Sequence, residues 1–260
     1  MRKILKYTLF DLLRSRWNYI YFGFYLVFTM SLLMLSGDIS TVIISLMNVI
    51  LILCPLIATI FGVMYAYNSR EFTVLLLAQP IKRSAIFWGQ YFGLALSLSL
   101  CLLLGVGLPF LYYGLSSSGA AWEFLTLLGN GLLLTFIFSG LAFLIALRND
   151  NKIRGFGLAI LTWLFFAVVY DGIVLLLLLF FRDYPLENAA LGLSVLNPID
   201  LSRILILLKL DISALMGYTG AVFQKFFGTI WGSVVAVLSL GLWVLIPVIS
   251  IKMISKRKDF

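Results

Sequence analysis

Histidine is absent from the 260-residue chain. That removes the commonest metal ligand and the commonest proton shuttle near neutral pH. It also excludes a Ser-His-Asp triad and an H-E-x-x-H zinc motif. Cysteine is nearly absent. Cys54 and Cys101 both sit inside apolar runs, with no C-x-x-C and no disulfide framework, so they specify no redox compartment. No glycine is followed by lysine, so the chain has no G-x-x-x-x-G-K-[ST] phosphate loop. If ATP drives this protein, the nucleotide sits in another chain. No catalytic constellation remains, and the expected role is non-enzymatic. Charge is scarce too: 12% of residues are charged, where a soluble domain has about a quarter.

What fills the chain instead is apolar. Hydrophobic residues make up 62% and the mean hydropathy is +1.08. Uninterrupted apolar runs, not ten-residue alternation, argue membrane helices and not a barrel. The pattern predicts an all-α integral membrane protein, a single transmembrane domain over residues 1–260. Six spans are expected at about 17–35, 41–67, 86–113, 122–147, 155–181 and 227–251. The first run is longer than a signal-peptide core and no A-x-A site follows it, so it is expected to stay as a span. Pro55 falls inside the second span, where a kink is tolerated. Gly89-x-x-x-Gly93 and Gly228-x-x-x-Gly232 open the third and sixth, a spacing that lets helices approach closely.

Before the first span, residues 1–16 read as an amphipathic helix lying in the membrane interface. Ile4, Leu5, Thr8, Leu9, Leu12 and Leu13 share one face, and Lys3, Lys6, Asp11 and Arg14 the other. A plain basic flank for the first span is the alternative. The net charge of +8 has a simple cause: 15 of the 19 Lys and Arg fall in segments that the span order puts on one side. Cationic residues collect on the cytoplasmic side, so both termini are expected there, in contact with the lipid bilayer. No aromatic and basic interleaving suggests nucleic acid. Residues 182–226 are expected as one or two helices at the opposite face, with a helix over 199–215 that is either surface-lying or partly re-entrant.

Between spans two and three, residues 70–83 read R-E-F-T-V-L-L-L-A-Q-P-I-K-R. The apolar block is too short to cross a bilayer and long enough for two helical turns along its surface. Pro80 should end that helix. Glu71 favours the positive end of the helix dipole. It either pairs with Arg70 or Lys82, or meets a partner; Phe72, Leu75 and Leu76 either fill a partner's groove or pack on the chain's own spans. Asp171, near the middle of the fifth span, is costly there; it either belongs to a cargo path or bonds Tyr170, Ser139 or another neighbouring helix. Met30 and Met34, and Met47, Cys54 and Met64, are soft donors at helical spacing that read as packing. No metal site is assigned. Asp200 is placed to cap the helix after Asn197-Pro198, with Arg203 one turn on.

Glu71, Leu75-Leu76-Leu77-Ala78-Gln79-Pro80, then Phe87-Trp88-Gly89-Gln90-Tyr91-Phe92-Gly93, together resemble the permease subunits of ABC-2 type transporters. With Asn197-Pro198-Ile199-Asp200-Leu201-Ser202-Arg203, the resemblance is to the NosY type, which serves nitrous oxide reductase maturation. It implies that residues 70–80 are a cytoplasmic coupling helix meeting an ATPase through Arg70, Glu71, Phe72, Leu75, Leu76, Gln79 and Pro80. It implies two permease copies and two P-loop ATPases, which hold the ATP and Mg; this chain binds no cofactor itself. It also implies a bacterial inner-membrane location and a periplasmic NosD-like protein met by the region of Asn197, Pro198, Asp200 and Arg203. Alternatives are an ABC-2 exporter of a lipid, glycan or drug, an ion-coupled secondary transporter using Asp171, or a plain membrane anchor.

Overall fold

The computed structural model describes residues 2–36, 38–113, 120–181, 187–210 and 218–257. All regular structure among them is helical. Twelve helices follow in order: α1 (Arg2–Leu13), α2 (Arg16–Leu35), α3 (Ile39–Asn68), α4 (Arg70–Leu77), α5 (Arg83–Tyr112), α6 (Ala121–Arg148), α7 (Lys152–Leu164), α8 (Tyr170–Phe180), α9 (Glu187–Leu196), α10 (Pro198–Lys209), α11 (Tyr218–Phe227) and α12 (Ile230–Arg257). A π-helical turn, Phe165–Val169, joins α7 to α8 into one span.

Six helices are long and apolar enough to cross a membrane: Arg16–Leu35, Ile39–Asn68, Arg83–Tyr112, Ala121–Arg148, Lys152–Phe180 and Trp231–Ile254. They match the six expected spans within a few residues. Local chemistry sets the ends. Asp38 caps α3, its carboxylate accepting from the Thr41 amide at 3.0 Å and the Thr41 hydroxyl at 2.8 Å. Those bonds hold its carboxyl below the usual aspartate range. Asn151 caps α7 by accepting from the Ile153 amide at 2.9 Å. Inside α3, the Thr59 hydroxyl donates to the Pro55 carbonyl at 2.6 Å.

The core lies where α3, α5 and α6 meet, with α2 laid on α5 and α12 on α6 and α5. Its centre holds Tyr25, Ile43, Leu46, Tyr91, Leu94 and Phe138, all fully buried. Span five stands at the edge, its most apolar stretch unburied by the rest of the chain.

The amphipathic α1 packs on α5 through Ile4, Thr8 and Leu12, as its apolar face predicts. The partner of the first glycine pair is thereby fixed. A Cβ on Gly89 would meet Ile4 Cγ2 at 2.9 Å, and one on Gly93 would meet Thr8 Cγ2 at 2.6 Å. The close approach therefore admits α1, not another span. The second pair behaves differently from expectation. Gly228 lies before α12, and a Cβ there would strike the Gln224 carbonyl; at Gly232 it would strike the Phe226 carbonyl. These glycines permit the tight turn between α11 and α12, so sliding helix contacts are not their role.

Within the region beyond span five, α9 and α10 form a pair bent by 114°. α10 is embedded against α6, α3 and α12, which fits the re-entrant alternative and not the surface-lying one. Leu201, Ile204, Leu205, Ile206 and Leu207 make it apolar nearly all round, and such a helix is buried. It ends at Lys209, and the remainder of the helix expected over 199–215 lies largely outside the described residues.

Candidate functional site

One residue, Ser69, separates α3 from α4, so α4 turns off the end of span two. Three contacts then fix it to three different elements. The Arg70 guanidinium reaches the C-terminal end of α6, donating to the Asn149 carbonyl at 2.9 Å, the Asp150 carbonyl at 3.0 Å and the Ala146 carbonyl at 3.3 Å. A cation there complements unpaired carbonyls and the negative end of the helix dipole. Asp150 adds an ion pair at 3.7 Å, and the guanidinium lies 4.6 Å over the Tyr67 ring. Thr73 is buried and accepts from Gln90 Nε2 of α5 at 2.9 Å. Phe72 stacks on Tyr7 of α1 at 5.1 Å between ring centroids.

The opposite face of α4 is open. Glu71, Val74, Leu75, Ala78, Gln79 and Pro80 are exposed, with Leu75 at 68% and Val74 at 51%. Glu71 makes no ion pair among the described residues. The seven residues expected to meet a partner therefore divide. Glu71, Leu75, Gln79 and Pro80 face outward, Leu76 is half-buried, and Arg70 and Phe72 hold the helix to its own chain. The arrangement is a braced knob, acidic at one edge and apolar at its centre. It connects span two, span three, α1 and the α6–α7 loop.

A second polar constellation lies about half-way along span five. Arg203 Nη1 donates to Asp171 Oδ2 at 2.9 Å and to Asp200 Oδ1 at 3.2 Å. Asn197, fully buried, donates to Asp200 Oδ2 and to the Phe166 carbonyl, each at 2.9 Å. Its own Oδ1 accepts from the Ile199 amide at 3.0 Å, so Asn197 is the cap of α10, not Asp200. Pro198 follows as the first helical residue, where its missing N–H is not needed. The Phe166 carbonyl belongs to the π turn, whose widened backbone turns one acceptor toward a neighbour. The Tyr170 hydroxyl donates to the Leu193 carbonyl at 2.7 Å, and Trp243 Nε1 to the Val195 carbonyl at 3.3 Å. The bend between α9 and α10 is thus pinned to spans five and six.

Asn197, Pro198, Asp200 and Arg203 are brought together with Asp171, and all turn into the chain. Asp171 bonds Arg203 of α10, a neighbouring helix, and not Tyr170 or Ser139. Sequence reasoning also passed over Thr73, Gln90, Tyr67 and Asp150. Gln90 alone carried a signal, as a polar residue buried in an apolar span; the others look ordinary until the helices meet. Met47 and Cys54 pack in the core, where the Cys54 thiol lies 3.2 Å from the Tyr25 hydroxyl. Among the described residues, no three of His, Cys, Asp and Glu come together as a metal site.

Two curated proteins resemble the chain, both described as "Probable ABC transporter permease protein NosY". That of Stutzerimonas stutzeri is 28% identical over 211 residues, covering 78% of this chain and 70% of the relative. That of Pseudomonas aeruginosa is 28% identical over 180 residues, covering 66% of each. No family model matches the chain. This likeness and the six apolar helices support a multi-pass permease subunit of an ABC transporter.

Proposed function

We propose that this chain is the permease subunit of an ATP-driven ABC-2 type transporter of the NosY kind. The observation that carries the reading is α4: a short helix at the basic end of six spans, braced on three elements, presenting Glu71, Val74 and Leu75 outward. An apolar patch with an acidic edge suits a groove on a soluble partner, helix in groove. A P-loop ATPase carrying ATP and Mg is that partner. Its motion pushes α4, and the Arg70 anchor passes the push to α6 and α7. The Thr73–Gln90 bond passes it to α5, and the Tyr7–Phe72 stack to α1.

Two copies of the chain work with two ATPases in a bacterial inner membrane, both termini cytoplasmic, as 15 of 19 Lys and Arg suggest. The α9–α10 pair carries the movement to the far side, toward a periplasmic NosD-like partner in nitrous oxide reductase maturation. An ABC-2 exporter of a lipid, glycan or drug shares α4 and differs at that far side. An ion-coupled transporter is disfavoured, because Arg203 already fills the cation position beside Asp171.

The test is purification of tagged protein from its own organism, wild type beside Glu71→Ala with Leu75→Ala. Both side chains are exposed, so the variant should fold. A P-loop ATPase should accompany the wild type and fall about tenfold in the variant, as for a paired hot-spot loss. Equal recovery would remove α4 from the interface, and no ATPase with either protein would end the permease reading. A periplasmic companion in the wild-type sample supports the NosY kind over other exporters.

A further inference from the structure

Two cavities, one beside α1 and one between α2 and α3, share a wall. The first is an open groove of about 1190 Å³ between α1 and the corner where α3 turns into α4. Lys3, Lys6 and Arg14 line it, with Asp11 the acidic residue among them. None of the three cations has an ion pair among the described residues. Tyr7, stacked on Phe72, and Phe10, with the Lys6 ammonium 5.9 Å from its ring centre, give the groove an aromatic floor. Tyr7 and Phe10 are each 54% exposed, on the charged face of a helix whose other face is already packed.

The second cavity is an apolar furrow of about 310 Å³ between α2 and α3, lined by Ile20, Phe24, Leu53 and Ile57. Trp17 and Phe61 line both cavities, their rings meeting edge to face at 6.4 Å between centroids, so groove and furrow adjoin across one aromatic pair. Trp17 opens span one, and Phe24 is seven residues deeper, roughly 10 Å along the helix. The order is cations at the membrane boundary, aromatic rings at its edge, then an apolar slot between two spans. An amphiphile has that order, and Trp and Tyr take interface positions for the same reason. A soluble protein can cover the first compartment but cannot reach the second, which lies among membrane-spanning segments.

We propose that groove and furrow together hold one anionic phospholipid. Its phosphate sits among Lys3, Lys6 and Arg14, and one acyl chain lies between α2 and α3. The lipid thereby bridges α1 to α4 through the Tyr7–Phe72 floor. The proposal stands whether or not α4 meets an ATPase.

Trp17 supplies the probe. The full-length protein is placed in phosphatidylcholine nanodiscs doped with phosphatidylglycerol brominated along its acyl chains. Quenching of Trp17 is read as the difference between wild type and Trp17→Phe. Brominated phosphatidylglycerol should quench Trp17 at about tenfold lower mole fraction than brominated phosphatidylcholine, the scale expected of three screened surface cations. Lys3→Gln with Lys6→Gln and Arg14→Gln should abolish that preference. Ile57→Phe, which narrows the furrow and leaves the rim intact, should weaken quenching by both lipids. Three results overturn the proposal: equal quenching by the two lipids, which means boundary lipid only; displacement by inorganic phosphate, which means a free-anion site; or no quenching in wild type, which means a protein surface covers the slot.

Discussion

Arg203 stands between two carboxylates at a depth where one uncompensated charge costs about 2.5–3.5 kcal/mol. Asp171 and Asp200 are 28% and 16% exposed and Arg203 33%, so water reaches the trio only in part. Removing the cation leaves two carboxylates facing each other, whereas neutralising Asp171 leaves the Arg203–Asp200 pair whole. Arg203→Gln is therefore expected to destabilise by about 1–3 kcal/mol, a buried-pair loss discounted for exposure. Asp171→Asn should cost less, and adding it to Arg203→Gln should recover part of the loss. Thermal melts of the purified protein in detergent measure all three, and strictly additive effects would mean that the two residues do not interact. Arg70 is a contrasting case at the same scale. Its guanidinium bonds carbonyls of α6 and its loop, so it positions α4, while Glu71 and Leu75 stay exposed.

Among the elements, α1 depends on two positions in a different helix. A Cβ on Gly93 would lie 2.6 Å from Thr8 Cγ2 and 2.7 Å from Thr8 Cβ, and the second is fixed to the α1 backbone and cannot swing away. Gly93→Ala should push α1 off α5 at a cost of about 1–3 kcal/mol, as overpacking does. Gly107 has nothing within 4 Å of a built Cβ, so Gly107→Ala in the same helix is the neutral control. Hydrogen exchange over residues 2–13 reads the outcome: faster in Gly93→Ala and unchanged in Gly107→Ala. Unchanged exchange in both would mean that α1 is held by other contacts. The α9–α10 pair shows how irregular backbone survives among spans. Asn197, Pro198 and Ile199 at its corner are buried, and its polar groups find the Phe166 carbonyl, Asp171 and one another.

For the whole molecule, the six spans and the charge distribution fix which segments share a side. α4 and the α6–α7 loop are joined through Arg70, and α1 joins them through Tyr7. Ser36 follows span one and lies at the other end. A membrane-impermeant maleimide should therefore label Ala78→Cys and Ser36→Cys from opposite faces of sealed vesicles. The native Cys54 and Cys101 are buried and give a low background. Labelling of both from one face would overturn the span order.

The number and place of the spans, the helical class and the one-sided charge were determined by the sequence itself. A span is a local property, about 20 apolar residues in succession, and cationic flanks are read one loop at a time. The short helix before Pro80 was legible for the same reason, since one residue type stops it. Tertiary structure alone decided what those pieces touch. Gly89 and Gly93 announced a close approach, but only packing chose α1 as the helix that approaches. Arg70 and Glu71 looked alike as ends of a partner surface; a contact 80 residues away turned Arg70 inward and left Glu71 outside. Asp171 and Arg203 lie 32 residues apart and meet only because α10 folds back against the middle of span five. Periodicity records which face of a helix is apolar, and carries no information about which other helix will cover it.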